Sequence, residues 1–150
     1  MIKTCVGDDL QHLLPHRGPA LMIDGIIHDD ERINEIIGRK IIQANDPWLE
    51  GHFPDMPIYP GHCQIECVNL TAAALIKMKY PELEGKPIIA KIDDISFKTP
   101  ARPGDTLSIT VLLTDEKKKM IFTFTASIRN QRDEVVTTIS EIKGINNPKM

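Results

Sequence analysis

The fold turns on the stretch His62-Cys63-Gln64-Ile65-Glu66-Cys67-Val68-Asn69-Leu70-Thr71-Ala72-Ala73-Ala74-Leu75-Ile76-Lys77-Met78-Lys79. Ile65, Val68, Leu70, Ala72 to Ile76 and Met78 cover nearly every side of a helix with 3.6 residues per turn. A helix that is apolar all round is buried rather than laid on a surface. Tyr80-Pro81 ends it, because the residue before a proline avoids helical dihedrals. Glu66, Asn69 and Lys77 interrupt the apolar run, which is too short and too polar to cross a bilayer.

Outward from the helix, the chain divides by periodicity. On the amino-terminal side, Asn45 to Gly61 carries Pro47, Pro54, Pro57 and Pro60 together with Gly51. Prolines at that density exclude a helix or a central strand and leave a loop that is stiff though irregular. Further back, Asp8 to Leu14 reads as a short helix stopped by Pro15. Leu21–Ile27 and Ile33–Gln43 read as strands around the charged turn His28 to Arg32. On the carboxyl-terminal side, Ile88–Thr99, Thr106–Leu113, Ile121–Arg129 and Val135–Ile142 read as a meander. Leu107, Ile109, Val111 and Leu113 alternate with polar residues, as do Phe122, Phe124, Ala126 and Ile128, so one face is buried. The apolar phase changes between Ile92 and Ile95, which places a bulge at Asp93-Asp94. One apolar helix plus about six antiparallel strands predicts an α+β layout, a curved sheet wrapped around a central helix.

Composition bounds the function. The chain has 150 residues, 41% hydrophobic and 26% charged, which suits one globular domain over 1–150. Eighteen Lys and Arg against 21 Asp and Glu leave a net charge of −3, with no global pull toward nucleic acid or acidic membranes. Cys5, Cys63 and Cys67 form no staple pattern. The Cys63–Cys67 spacing has no second Cys or His pair to complete a zinc site, so no metal is expected. Reduced thiols and the absence of a signal-like amino terminus suit a cytoplasmic protein.

Three residues carry chemistry. Glu66 sits in the first turn or so of the apolar helix, where burial raises a carboxyl pKa and the helix amino terminus lowers it. A Glu kept neutral is a general acid; the plain alternative is a Glu facing solvent. His52 lies in the stiff loop as Gly51-His52-Phe53-Pro54. It is suited to proton transfer, with Phe53 as an apolar wall; the alternative is a loop histidine that hydrogen-bonds backbone. Gly61 follows Pro60 at the helix start, where its N–H has no intrahelical partner and can hold an oxyanion, or where it simply makes a turn.

Base, oxyanion donor and acid thus fall in order within fifteen residues. The string His52-Phe53-Pro54-Asp55-Met56-Pro57-Ile58-Tyr59-Pro60-Gly61, with Glu66 fourteen residues after His52, resembles the active-site motif of the 3-hydroxyacyl-acyl-carrier-protein dehydratases, hot-dog-fold enzymes of bacterial fatty-acid synthesis. Leu14-Pro15-His16-Arg17 with Pro19 and Asp24, Asn45-Asp46-Pro47-Trp48, and Phe97-Lys98 with Pro100 and Pro103-Gly104-Asp105 resemble further segments of that family. The match spans roughly residues 10 to 143 in consistent order.

The resemblance implies a hot-dog fold and a 3-hydroxyacyl thioester on the phosphopantetheine arm of acyl carrier protein, with no other cofactor. It implies His52 as base toward C2, the Gly61 N–H as oxyanion donor and Glu66 as acid toward the 3-hydroxyl. The product would be a trans-2-enoyl thioester, made in fatty-acid or in specialised polyketide or aryl-polyene-type synthesis. Because the family's His and Glu come from opposite protomers, the working unit would be a homodimer, a trimer of dimers, or a heterodimer with another hot-dog subunit. A glutamate at position 66 resembles the dehydratase-only branch rather than the isomerising one.

Pro60, Phe53 and His62 would border the substrate, although a His62 turned to water is the plain alternative. Lys98 and Arg102 are candidates for docking an acidic carrier, with solvated surface charge as the alternative. His16 and Arg17 read first as a brace for their loop, with Asp24 as Arg17's partner. Leu70 stands where the family helix has a glutamine, removing a polar neighbour of the acid or passing its role to Asn69. Gly18 stands where an aromatic is common, Ala20 where Phe is common and His62 where an apolar residue or Cys is usual; together they make a specialised acyl chain as natural a reading as a saturated one. Two other classes compete: a non-catalytic hot-dog subunit that binds a carrier or an active partner, and a hot-dog thioesterase.

Overall fold

The computed structural model describes residues 1–149. The chain runs β1 (Ile2–Val6), α1 (Gly7–Leu13), a single 3-10 turn (Gly18–Ala20), β2 (Gly25–Asp29), β3 (Glu35–Ile41), α2 (Gly61–Lys79), β4 (Lys86–Phe97), β5 (Thr106–Lys117), β6 (Ile121–Arg129) and β7 (Val135–Asn147). The seven strands form one antiparallel sheet in the order β1-β2-β3-β5-β6-β7-β4.

Helix α2 is the axis of the core. Cys63, Cys67, Val68, Leu70, Ala74 and Leu75 are almost completely buried along its length. It touches β2, near one edge of the sheet, and β4, at the opposite edge. A flat sheet of this width could not reach one helix from both edges, so the sheet curls around it. Leu107, Ile109 and Val111 of β5 and Phe122, Phe124 and Ile128 of β6 fill the space between helix and sheet. Gly38 of β3 sets the closest approach. A Cβ there would collide with the Thr71 hydroxyl group, which instead donates to the Cys67 carbonyl 2.8 Å away.

Three expectations need correction. Among the described residues there are seven strands, because Ile2–Val6 pairs with β2. Its residues are exposed apart from a half-buried Cys5, so it has none of the alternation that marks a strand in sequence. The strand expected at Leu21–Ile27 begins only at Gly25 and runs to Asp29. The register shift of β4 lies between Ile89 and Lys91 rather than at Asp93-Asp94. Asp94 does adopt a left-handed φ of 52°, so the strand is irregular twice. Together these turn Ile89, Ile92 and Ile95 toward the core.

Candidate active site

The loop before α2 is a chain of tight turns pinned at three buried points. Backbone N–H groups of Asp46, Leu49, His52 and Met56 each bond a carbonyl three residues back. Leu49 and Tyr59 are buried, and the Tyr59 N–H bonds the Ala101 carbonyl at 2.7 Å. The third pin is Asp46, which accepts from the Trp48 N–H at 3.0 Å and pairs with the Lys40 ammonium at 2.9 Å, both side chains being nearly enclosed. Gly51 has φ +76°, which suits glycine, but Phe53 also has φ +57°. A left-handed non-glycine residue carries about 1 kcal/mol or more of strain, held only because its surroundings determine it.

His52 is half-buried, with its ring centroid 4.6 Å from that of Phe53. Its Nδ1 lies 2.7 Å from the Ile58 carbonyl oxygen. A carbonyl only accepts, so the neutral ring carries its proton on Nδ1 and leaves Nε2 bare. The backbone bond and the base are therefore two ends of one ring.

The start of α2 offers two free donors. Cys63 and Gln64 bond the Pro60 carbonyl at 3.1 and 3.2 Å, whereas the N–H groups of Gly61 and His62 bond no group among the described residues. Position 61 sits in close approach to Phe97: an added Cβ would lie 2.7 Å from the ring unless the ring moved. His62 is exposed and stands edge-on to Trp48, with ring centroids 6.3 Å apart. Gln64 is buried, accepts from the Thr137 hydroxyl and donates to the Tyr59 carbonyl at 3.4 Å.

Glu66 is half-buried one turn on. Burial pushes its carboxyl above the ordinary range, and the Asn69 side chain beside it pulls back toward the charged form. Leu70, by contrast, is buried in the core. No hydrogen bond or ion pair joins His52 to Glu66 among the described residues. Glu66 faces His16 instead: His16 Nε2 lies 4.0 Å from Oε1.

Arg17 donates from its guanidinium to the carbonyls of Leu14, His16 and Gln11 at 2.6, 2.7 and 2.7 Å, tying α1 to the Pro15–Arg17 loop. Asp24 is not its partner. Asp24 is exposed and accepts the Ile41 N–H at 2.6 Å, so it needs no buried cation. Sequence reasoning also missed the approach of His16 to Glu66. The only signal for it was the position of His16 beside Arg17, inside a segment already matched to the family. Lys98 and Arg102 are exposed at the end of β4 and in the loop after it, with no ion pair among the described residues.

Beside Asn69, a cavity of about 290 Å³ opens between α1, α2 and the sheet, lined by Leu14, Pro15, Ala72, Ala73 and Phe124 among others. Gly18 lines a separate hollow with Trp48 and the Lys40–Asp46 pair. Burial pushes the Cys63 thiol up to about 11 and the Cys67 thiol up to about 12, so neither is a thiolate at neutral pH. No group of three or more potential metal ligands occurs among the described residues. Among the same residues no helix is long and apolar enough to cross a membrane.

The family model of the ApeI-like dehydratases matches residues 28–138. The 3-hydroxyacyl-acyl-carrier-protein dehydratase FabZ of Natranaerobius thermophilus is 41% identical over 111 residues, covering 73% of this chain and 77% of that protein. The FabZ of Thermoanaerobacter pseudethanolicus is 37% identical over 131 residues, covering 87% and 89%. Among solved structures, the dehydratase heterocomplex ApeI:P from Xenorhabdus doucetiae superposes with a TM-score of 0.77 at 15% identity over 92% of this chain and 90% of that one, a likeness of fold. The chain belongs to the FabZ-like and ApeI-like family of hot-dog dehydratases.

Proposed function

We propose that this protein dehydrates a 3-hydroxyacyl thioester, carried on acyl carrier protein, to the trans-2-enoyl thioester. The observation that carries the reading is the division of labour within one short segment. His52 presents a bare Nε2 while its Nδ1–H is used on Ile58, and Glu66 is held toward its protonated form by burial. One group is set to take a proton and the other to give one.

In this mechanism His52 Nε2 removes the C2 proton. The electron pair moves into the thioester, whose oxygen is met by the unbonded N–H at Gly61. The pair then returns from the thioester to form the C2=C3 bond, the C3–O bond breaks with its own pair staying on oxygen, and the Glu66 proton completes the water. Histidine ends as imidazolium and glutamate as carboxylate, and solvent exchange resets both. No metal or organic cofactor enters these steps.

The acyl chain is assigned to the apolar cavity beside Asn69, one turn from Glu66. The acidic carrier is assigned to the face that bears Lys98 and Arg102.

The second protomer pairs along β4, the edge strand that follows α2, which exposes Ile88 and Phe97. It supplies the Glu66 that faces this chain's His52. A different hot-dog chain in that place is the second reading, favoured by the ApeI-like family match and by a structural neighbour that is itself a heterocomplex.

The test is product analysis with 3-hydroxyacyl carrier protein. Loss of one water with the thioester intact is expected. Release of free thiol would make the protein a thioesterase. An unchanged substrate, with and without a co-purified partner, would make it a non-catalytic subunit.

A further inference from the structure

His16 is fixed by its neighbours rather than by its own ring. Pro15 precedes it, and Arg17 clamps the carbonyls on either side of that proline and the one at Gln11. The ring has 19% of its side chain exposed, and its Nδ1 is fully buried with no hydrogen-bond partner. The other nitrogen, Nε2, faces Oε1 of Glu66 at 4.0 Å, just beyond hydrogen-bond length.

A neutral imidazole has one N–H to place. On Nδ1 it would be a buried donor without an acceptor, the rarest kind of unsatisfied group. On Nε2 it points at a carboxylate oxygen. Burial and the adjacent Arg17 both hold the ring below its ordinary pKa, so it stays neutral near pH 7.

We propose that His16 is a positioning residue for Glu66, its Nε2–H engaging Oε1 so that Oε2 is the oxygen presented to the substrate hydroxyl. The same N–H steadies the carboxylate that remains once Glu66 has given up its proton. The ring thereby favours a charge that develops only as the C–O bond breaks, which raises kcat rather than tightening substrate binding. The inference rests on Glu66 being the acid.

Two measurements test it. In 15N NMR of the wild-type protein, His16 is expected as the Nε2–H tautomer; the Nδ1–H tautomer overturns the proposal. Kinetics of His16→Ala, His16→Asn and His16→Gln form the second. A glutamine amide reaches about as far as Nε2 and an asparagine amide only about as far as Nδ1. His16→Ala and His16→Asn are therefore expected to lose about tenfold or more in kcat with KM nearly unchanged, the size of one hydrogen bond to a charged group. His16→Gln should recover most of it, with all three variants melting close to the wild type. Equal loss in the Gln and Ala variants, or a change confined to KM, would overturn the role. A wild type that dehydrates nothing would instead overturn the functional reading, and the tautomer would still decide the orientation of His16.

Discussion

His52 Nδ1 and the Ile58 carbonyl oxygen are 2.7 Å apart across the turn that leads into α2. The carbonyl is held because the next residue, Tyr59, is buried and bonds the Ala101 carbonyl through its N–H. A single backbone carbonyl therefore fixes both the tautomer of the histidine and the direction of its free nitrogen. The prolines of the loop and the strained Phe53 serve the same end, keeping an irregular segment in one conformation.

Glu66 ties function to stability. Burial raises its folded-state pKa, so between the ordinary glutamate range and that raised value the folded chain binds a proton the unfolded chain has released. Stability falls as pH rises through this window, and the loss is complete above it. Glu66→Gln does not titrate and escapes the loss. Its melting temperature should match the wild type near pH 4 and exceed it above the raised pKa. Turnover should fall by about two decades or more. Thermal melts across pH, with an activity assay, check both.

Gly61 lies under the Phe97 ring, and a Cβ would come 2.7 Å from it. Phe97 is about half exposed, so the ring can swing away rather than unfold the helix start. Gly61→Ala should thus melt within about 1 kcal/mol of the wild type yet lose about tenfold in kcat/KM, because the displaced ring and the new methyl crowd the free N–H. Adding Phe97→Ala should restore part of the activity. Calorimetry and steady-state kinetics on the single and double variants test this.

Lys40 and Asp46 form a pair 2.9 Å apart with both side chains nearly enclosed. Lys40→Met strands the carboxylate and should cost about 3 kcal/mol, lowering the melting temperature by about 10 °C. Lys40→Met with Asp46→Asn should recover half or more of that loss, since the amide oxygen still accepts the Trp48 N–H. Denaturant titration of the three proteins measures the coupling.

Lys98 and Arg102 are exposed and unpaired among the described residues. Reversing both to Glu should raise KM for a carrier-bound substrate about tenfold and leave a small pantetheine thioester unaffected. That difference should shrink as salt is added. Parallel assays with the two substrates read it directly.

Much of this was legible in the chain. The all-round apolar run after Pro60-Gly61 predicted a buried helix, and Gly61–Lys79 is one. The alternation in β5 and β6 predicted their inward faces. Strand β1 was not legible, because an exposed edge strand needs no apolar alternation. Asp24 was read as Arg17's partner within the strand expected from Leu21, but the strand starts one residue after it and leaves it at the surface. Fifty residues separate His16 from Glu66, and their approach depends on how α1 packs against α2, which no local pattern encodes.

The most direct test follows the enoyl-thioester absorbance band when purified protein meets 3-hydroxybutyryl and longer 3-hydroxyacyl pantetheine thioesters, beside His52→Ala. Absorbance should grow with the wild type and fall by about three decades in rate with the variant. Growth at similar rates in both would contradict His52 as the base. No growth with any saturated or polyene chain, free or carrier-bound, would contradict the dehydratase itself.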